Sequence, residues 1–384
     1  MAAGTRAWWC GFTRQLVYVM SEYHIADILH EGLASYRQHH TISYQQIRAC
    51  QHIQSCRTGK LGYQEWQCDD CAEVERIGCS CRDRHCPRCQ GYATQQWITK
   101  QQARLLPCRY FHLVFTLPHE LNPLAQHQPS MVYQSLFQAA WATLTQFAAK
   151  KGHGQLGMTC VLHTWGQTLS QHIHLHCLIP AGSIRQGRWC TIDNNYLYPV
   201  KALSRVFRGK MLAALYARNK DVVHVSTPTE WCVYSKACLT YSPYLVSYLA
   251  RYTRKGMMSE HRLVAVDEQG VSFSYRDYKD EDKRKVMQLS RDEFIRRYLL
   301  HVLPKGLMRI RHYGFLANAS YKRVQRIVRS IEQEAQSSPQ RESQPPRLPC
   351  WTCKVCGHGR LSLKSVVTAK RHNPDDVTAD IRQS

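Results

Sequence analysis

His172-Ile173-His174-Leu175-His176-Cys177-Leu178-Ile179 is the stretch on which the fold turns. Side chains of a β-strand alternate between its faces, so the three histidines share one side while Ile173, Leu175 and Cys177 turn to the other. The apolar row belongs in a core, which leaves the imidazole row along one surface of a sheet. Upstream, 158–164 has the same strand character, and a polar turn around Gly166, Gln167 and Ser170 separates the two runs. That pattern predicts an antiparallel hairpin. A lone histidine on a strand is usually structural, but imidazoles two apart on one face can reach the same divalent ion.

Working outward, Tyr110 to Leu117 reads as a buried strand ended by Pro118, and 129–150 reads as a helix. Trp231 to Tyr234 is strand-like, 244–255 helical, 262–275 a second hairpin turning at Glu268-Gln269-Gly270, and 291–303 a further helix. The mixture is an α+β fold with largely antiparallel strands. Residues 1–48 carry apolar positions at Leu16, Met20, Ile25, Ile28, Leu29 and Leu33, which suit short amphipathic helices. The expected division is a helical segment at 1–48, a cysteine-rich module at 49–106, a main domain at 107–332, a polar, proline-rich linker at 333–349 and a C-terminal tail at 350–384 containing Cys350, Cys353 and Cys356, mobile in its polar part after Cys356.

Composition narrows the function. The 384 residues include 51 Lys and Arg against 28 Asp and Glu, a formal net charge of +23, which favours a polyanionic partner, with nucleic acid first. No apolar run approaches the roughly 18 residues of a membrane helix, and the arginine-interrupted N-terminus does not read as a signal peptide. Eighteen cysteines in such a chain point to metal rather than disulfides. Cys68-x2-Cys71 and Cys86-x2-Cys89 have the spacing of two knuckles closing one tetrahedral thiolate site around Zn²⁺. Cys56, Cys81 and His85 are left over for a possible second zinc, with Cys50, His52 and Cys79 nearby. Cys350, Cys353 and Cys356 could form half of another site with His358. Lys60, Arg76, Arg82, Arg84 and Arg88 suit either a DNA-contacting ribbon or a solvated basic face.

In the expected helix 244–255, Tyr248 and Tyr252 lie four apart on one face, with Tyr244 one turn earlier. A tyrosine stripe alone is equally a core face or a stacking platform. Arg251, Arg254 and Lys255 add cations that could hold a phosphate and favour a phenolate nucleophile.

These segments together resemble the HUH-class transposases with two tyrosines, a rolling-circle insertion-sequence family distantly related to plasmid replication initiators, relaxases and helitrons. The resemblance is carried by CRTGKLG, CDDC and SCRDRHCPRCQ, by VLHTWGQTLSQHIHLHCLIPAG, by YLARYTRK and by EFIRRYLLHVLPKGLMRIRHYGFLAN, in that order from about residue 50 to 320. It implies an antiparallel-sheet HUH endonuclease core, RRM- or ferredoxin-like, behind a zinc-ribbon-like module. It further implies Mg²⁺ or Mn²⁺ on His174 and His176, and catalysis by Tyr248 and Tyr252. Two positions depart from the family pattern: Gln64 stands near where a histidine is common, and Cys79 where asparagine is common.

The implied activity is that of a tyrosine transposase, a single-strand DNA endonuclease and strand transferase. It nicks one strand, stores the bond as a 5′-phosphotyrosine and rejoins it without a nucleotide cofactor. No G-x-x-x-x-G-K-[ST] loop occurs in the chain. His112, Gln167 and His172 are candidates for a third ligand to the catalytic metal. Arg251, Arg254, Lys255, Arg309 and Arg311, with Arg296, Arg297, Lys305 and His312 near Tyr298 and Tyr313, are the expected surface for single-stranded transposon ends and target. The expected location is the cytoplasm, at the nucleoid of a bacterial host. The competing expectations are a non-catalytic zinc-ribbon DNA-binding regulator and a metal-dependent hydrolase.

Overall fold

The computed structural model describes residues 22–89, 96, 98–101, 105–221, 225–239, 257–278, 280–320, 326–327 and 351–369, with side chains not described at 237–239. In chain order they form α1 (Ile25–His39), α2 (Tyr44–Ser55), β1 (Gly62–Cys68), β2 (Val74–Gly78), β3 (Tyr110–Thr116), α3 (Asn122–His127), α4 (Pro129–Lys150), β4 (Gly157–Trp165) and β5 (Gln171–Pro180). There follow β6 (Gly182–Arg185), β7 (Arg188–Thr191), α5 (Val200–Tyr216), β8 (Val233–Leu239), β9 (Leu263–Asp267), β10 (Gly270–Asp277), β11 (Lys283–Leu289), α6 (Arg291–Leu299), β12 (Ile310–Gly314) and β13 (Leu361–Thr368).

The central sheet has five strands in the order β12-β4-β5-β3-β8, every neighbouring pair antiparallel. Alternation sorts its residues as the sequence dictates. Phe111, Leu113, Phe115, Cys160, Leu162, Ile173, Leu175 and Cys177 join Val132, Leu136 and Phe137 of α4 and Leu203, Phe207 and Met211 of α5 in one buried core. These helices cover one face, so the histidines of β5 fall on the opposite one. The β4–β5 hairpin has the expected extent, and α4 spans the expected 129–150.

A second core crosses the boundary expected at residue 106. Ile28 and Leu29 of α1 and Ile53 of α2 pack with Phe273 of β10 and with Phe294 and Tyr298 of α6, around Cys56 and Cys86. The sheet β11-β10-β9 belongs to this core. The start of α2 is fixed by a capping box, in which Ser43 Oγ accepts from the Gln46 amide and the Gln46 side chain accepts from the Ser43 amide at 2.7 Å. The helix expected over 291–303 ends at Leu299, and the strand expected at Trp231 begins at Val233.

A third sheet, β13-β1-β2, corrects the expectation of a mobile tail for part of 350–384. Residues Leu361–Thr368 pair antiparallel with β1 from Gly62↔Thr368 to Cys68↔Leu361. The linker expected at 333–349, Cys350 and the helix expected at 244–255 lie outside the described residues.

Candidate metal centres and nucleic-acid interface

On the face of the central sheet away from α4 and α5, the cross-strand pairs His163↔His174 and Val161↔His176 set β4 against β5. Opposed side chains of paired strands lie side by side. His163, His174 and His176 therefore converge, with potential ligand atoms all within 4.8 Å of one another. Their ring centroids stand 5.1, 4.8 and 4.9 Å apart. His163 and His176 are buried, and His174 is half-buried.

Two of the rings are oriented by their other nitrogen. The His174 Nδ1–H donates to the His172 carbonyl at 2.8 Å, and His176 Nδ1 is hydrogen-bonded to His112 Nε2 of β3 at 3.1 Å. Each then offers Nε2 as its donor atom, the arrangement that fixes tautomers at metal-binding histidines. Burial holds all three imidazoles neutral near pH 7. It lowers His174 to about 4, and it lowers His176 to about 2 with help from the neighbouring His174. His163 is pushed well below its ordinary value by burial and by Arg309. Neutral imidazole is the form that binds a metal, so this donor set suits a divalent cation with coordination positions left over for an oxygen ligand.

Of the expected third-ligand candidates, none joins this set directly. His112 stands behind His176, Gln167 donates to the Tyr278 hydroxyl at 3.0 Å, and His172 is exposed. The histidine that converges on His174 and His176 is His163. Its signal lay in the sequence as a histidine on the partner strand of the hairpin, but only the register identifies it as the residue opposite His174.

The cations divide into two groups. The Arg309 guanidinium lies 4.6 Å from the Trp165 ring centroid, and Trp165 stacks on His163 at 4.8 Å, so a positive charge borders the imidazoles. Lys236 of β8 is paired with His112 and adds a second cation on that face. Arg311 and Tyr313 turn the other way: Arg311 lies over the Phe137 ring at 4.0 Å and Tyr313 stacks on Trp141 at 5.3 Å. Arg311 is thereby corrected from the expected DNA surface to the helix-covered face, because its strand pairs Arg311 with the core residue Cys160. Arg296 and Arg297 are both engaged by Glu293, at 2.6 Å each, and Tyr298 is a buried core residue. Tyr244, Tyr248, Arg251, Tyr252, Arg254 and Lys255 lie outside the described residues.

The cysteines are regrouped relative to the expectation of one site for the two C-x2-C pairs. Cys56, Cys81, Cys86 and Cys89 form one cluster, and Cys68, Cys71, Cys353 and Cys356 form another. The pairs separate because Cys86–Cys89 packs against the end of α2, whereas Cys68–Cys71 ends β1 at the ribbon sheet. In the first cluster Sγ–Sγ separations are 3.5 Å for Cys56–Cys89 and 3.6 Å for Cys81–Cys89. A tetrahedron of sulfurs with Zn–S bonds of about 2.3 Å has edges of about 3.8 Å, so the donors fit that ion. Hydrogen bonding within the cluster, first from Cys56, holds Cys89 well below and Cys86 well above the ordinary thiol value. All four sulfurs could ionise this close together only with a cation to balance their charge.

His85 is not a ligand in this arrangement. Its Nδ1–H donates to Asp83 at 2.9 Å and its Nε2 accepts the Leu303 amide at 3.1 Å, so both nitrogens are occupied and the second holds the module to the segment after α6. Burial alone would raise the Asp83 carboxyl, but hydrogen bonds from His52 and His85 hold it far below its usual range. Arg84 is similarly occupied, donating to the Leu307 carbonyl at 2.6 Å and that of Pro304 at 2.8 Å. Arg76 pairs with Glu65 at 3.0 Å. Much of the basic character around these cysteines is thus spent within the fold.

A family model described as a putative transposase matches residues 157–323, which span β4, β5 and β12. One described as a transposase zinc-binding domain matches residues 28–117, which contain the Cys56 cluster. The chain belongs to this family of insertion-sequence transposases, and its N-terminal part is a structural zinc-binding module.

Among its relatives is the putative transposase y4qJ of Sinorhizobium fredii (strain NBRC 101917 / NGR234), 40% identical over 77% of this chain and 80% of the relative. Another is the transposase for insertion sequence element IS801 of Pseudomonas savastanoi pv. phaseolicola, 30% identical over 69% of this chain and 68% of the relative. No solved structure matches the chain. Among the described residues, no helix is long and apolar enough to cross a membrane.

Proposed function

We propose that this transposase cuts and rejoins single-stranded DNA through 5′-phosphotyrosine intermediates in rolling-circle transposition, with the five-stranded sheet as an HUH endonuclease core. The observation that carries the proposal is the trio His163, His174 and His176, neutral and convergent on the sheet face that the helices leave uncovered, with His163 and His176 buried and His174 half-buried. A packed structural histidine has no need of two like neighbours, so a non-catalytic regulator leaves the trio unexplained.

In this reading the three imidazoles would hold Mg²⁺ or Mn²⁺, which would supply Lewis-acid stabilisation of the charge that develops on the scissile phosphate. His176 then carries its proton on Nδ1 and donates it to His112. Arg309 and Lys236 hold the flanking phosphates. The nucleophiles are Tyr248 and Tyr252, with Arg251, Arg254 and Lys255 close to them in sequence. A phenolic oxygen attacks phosphorus in line, the bond to the 3′ oxygen breaks, and the phenol's proton passes by way of a base to that oxygen, which leaves as a hydroxyl. One phosphodiester is exchanged for another, so the reverse step rejoins the strand without nucleotide hydrolysis. Two tyrosines permit two such transfers, one at the donor end and one at the target. The structural zinc is assigned to Cys56, Cys81, Cys86 and Cys89.

The test is the pair of substitutions Tyr248→Phe and Tyr252→Phe in one chain, with nicking and binding of labelled single-stranded end DNA measured in Mn²⁺. Binding should persist and nicking should vanish. Surviving nicking would point to an activated water, and hence to a hydrolase.

A further inference from the structure

The matched zinc-binding region ends at residue 117, yet four sulfurs gather at the ribbon sheet from both sides of the catalytic region. We infer that Cys68, Cys71, Cys353 and Cys356 bind a second zinc ion, and that this ion staples the C-terminal strand β13 to the N-terminal module.

Three observations carry it. The first is donor geometry: Sγ–Sγ separations are 3.7 Å for Cys68–Cys356 and 3.7 Å for Cys71–Cys353, matching the edge of about 3.8 Å in a tetrahedral zinc thiolate site. The second is that each C-x2-C segment aims a backbone amide at one of its own sulfurs and turns sharply after its second cysteine. The Asp70 amide donates to Cys68 Sγ at 3.4 Å, and the Gly359 amide donates to Cys356 Sγ at 3.3 Å. A residue with positive φ follows each second cysteine, Ala72 at 60° and Gly357 at 77°. Amide-to-sulfur bonds of this kind stabilise thiolate and aim it at a shared centre. The loops are also locked to each other, the Asp69 amide donating to the Arg360 carbonyl at 3.0 Å and the Arg360 amide to Asp69 Oδ1 at 2.7 Å. Gly359 is required at its position because a Cβ there would collide with Cys68 Sγ.

The third observation is what this sheet lacks. Among the described residues its buried cluster is Cys68, Cys353 and Leu361, with Trp66 and Cys356 partly buried against it. Most of β13 is exposed, including Leu363, Val366 and Val367. Three strands over so small a core do not hold together by burial, and small modules of this kind depend on a metal. The four-sulfur set also competes with a smaller one. Asp70, Cys356 and His358 are close enough to share an ion, but they lie at the exposed rim, where His358 pairs with Asp70 at 2.6 Å. Four thiolates form a closed tetrahedral site by themselves, so His358 is not needed as a ligand.

The experiment is metal analysis of the full-length protein purified without added metal. Zinc per chain is expected to be two in the wild type and one in Cys353→Ser/Cys356→Ser. A loss of one zinc on that substitution supports the composite site whatever the wild-type total, which separates this inference from the assignment of zinc to the Cys56 cluster. Unchanged zinc content overturns it. His358→Ala should keep the wild-type content, and loss of one zinc there overturns the four-thiolate set. Hydrogen exchange supplies a readout that does not depend on metal recovery. In the double variant, amides of 62–68 and 361–368 should lose protection while those of β4 and β5 keep theirs. Continued protection of the ribbon amides in a variant that has lost the ion overturns the staple.

Discussion

Replacing His112 by leucine tests whether the imidazole trio is a metal centre through a residue outside the trio itself. His112 Nε2 and His176 Nδ1 are 3.1 Å apart, with His112 2% and His176 7% exposed. Once a cation occupies Nε2 of His176, the ring proton is confined to Nδ1 and needs an acceptor. In the metal-free protein the ring can change tautomer and escape that requirement, so the penalty falls on metal affinity rather than on folding. A buried donor left without its partner costs about 1–3 kcal/mol, which at about 1.4 kcal/mol per decade weakens binding by roughly 5- to 150-fold. The same range, roughly 10–100-fold, is typical when the residue orienting a metal-binding histidine is removed. Leucine fills most of the space, and His112→Gln restores an acceptor, so the glutamine variant should recover part of the loss. Mn²⁺ titration by calorimetry at pH 7.5 measures all three proteins. If the leucine variant binds Mn²⁺ within twofold of wild type, the trio does not bind metal as described.

Two further outcomes follow from the same geometry. Burial lowers His112 and His301 to about 4, so in the metal-free protein the unfolded chain binds more protons than the folded one between that value and 6.5. Stability should therefore fall as pH drops through this window, by about 1.4 kcal/mol at pH 5.5 for His301 alone, and urea midpoints at pH 7.5 and 5.5 that coincide would contradict the burial. DNA affinity should be steeply salt-dependent, falling roughly 10³- to 10⁵-fold between 50 and 200 mM salt if six to ten phosphates are contacted. Arg309→Ala should reduce the slope of log affinity against log salt by about one, whereas Arg311→Ala, with its guanidinium over Phe137, should leave it unchanged.

The hairpin was legible because alternation is a local property: Ile173, Leu175 and Cys177 could face only a core, which fixed the side taken by His174 and His176. His163 escaped notice because its role depends on register across the turn, where the pairing shifts between His163 and Trp165. The cysteine spacing was read as one site because sequence proximity favours the nearest partner. The true partners of Cys68 and Cys71 arrive from a knuckle 282 residues beyond Cys71. Arg311 read as a surface cation, but strand parity sends it to the helix side, where its stem and guanidinium cover an aromatic ring. His85 is one of several candidates that spacing alone leaves open for a second zinc, and its neighbour Asp83 and the Leu303 amide take both of its nitrogens.

Incubating the full-length protein with single-stranded end DNA and Mn²⁺, then mapping the covalently modified peptide after denaturation, tests the central claim most directly. A 5′-phosphorylated strand should be found on the peptide carrying Tyr248 or Tyr252, and the adduct should disappear in His163→Ala and in His174→Ala/His176→Ala. An adduct on another residue, or one that forms equally well without the imidazoles, would contradict the account.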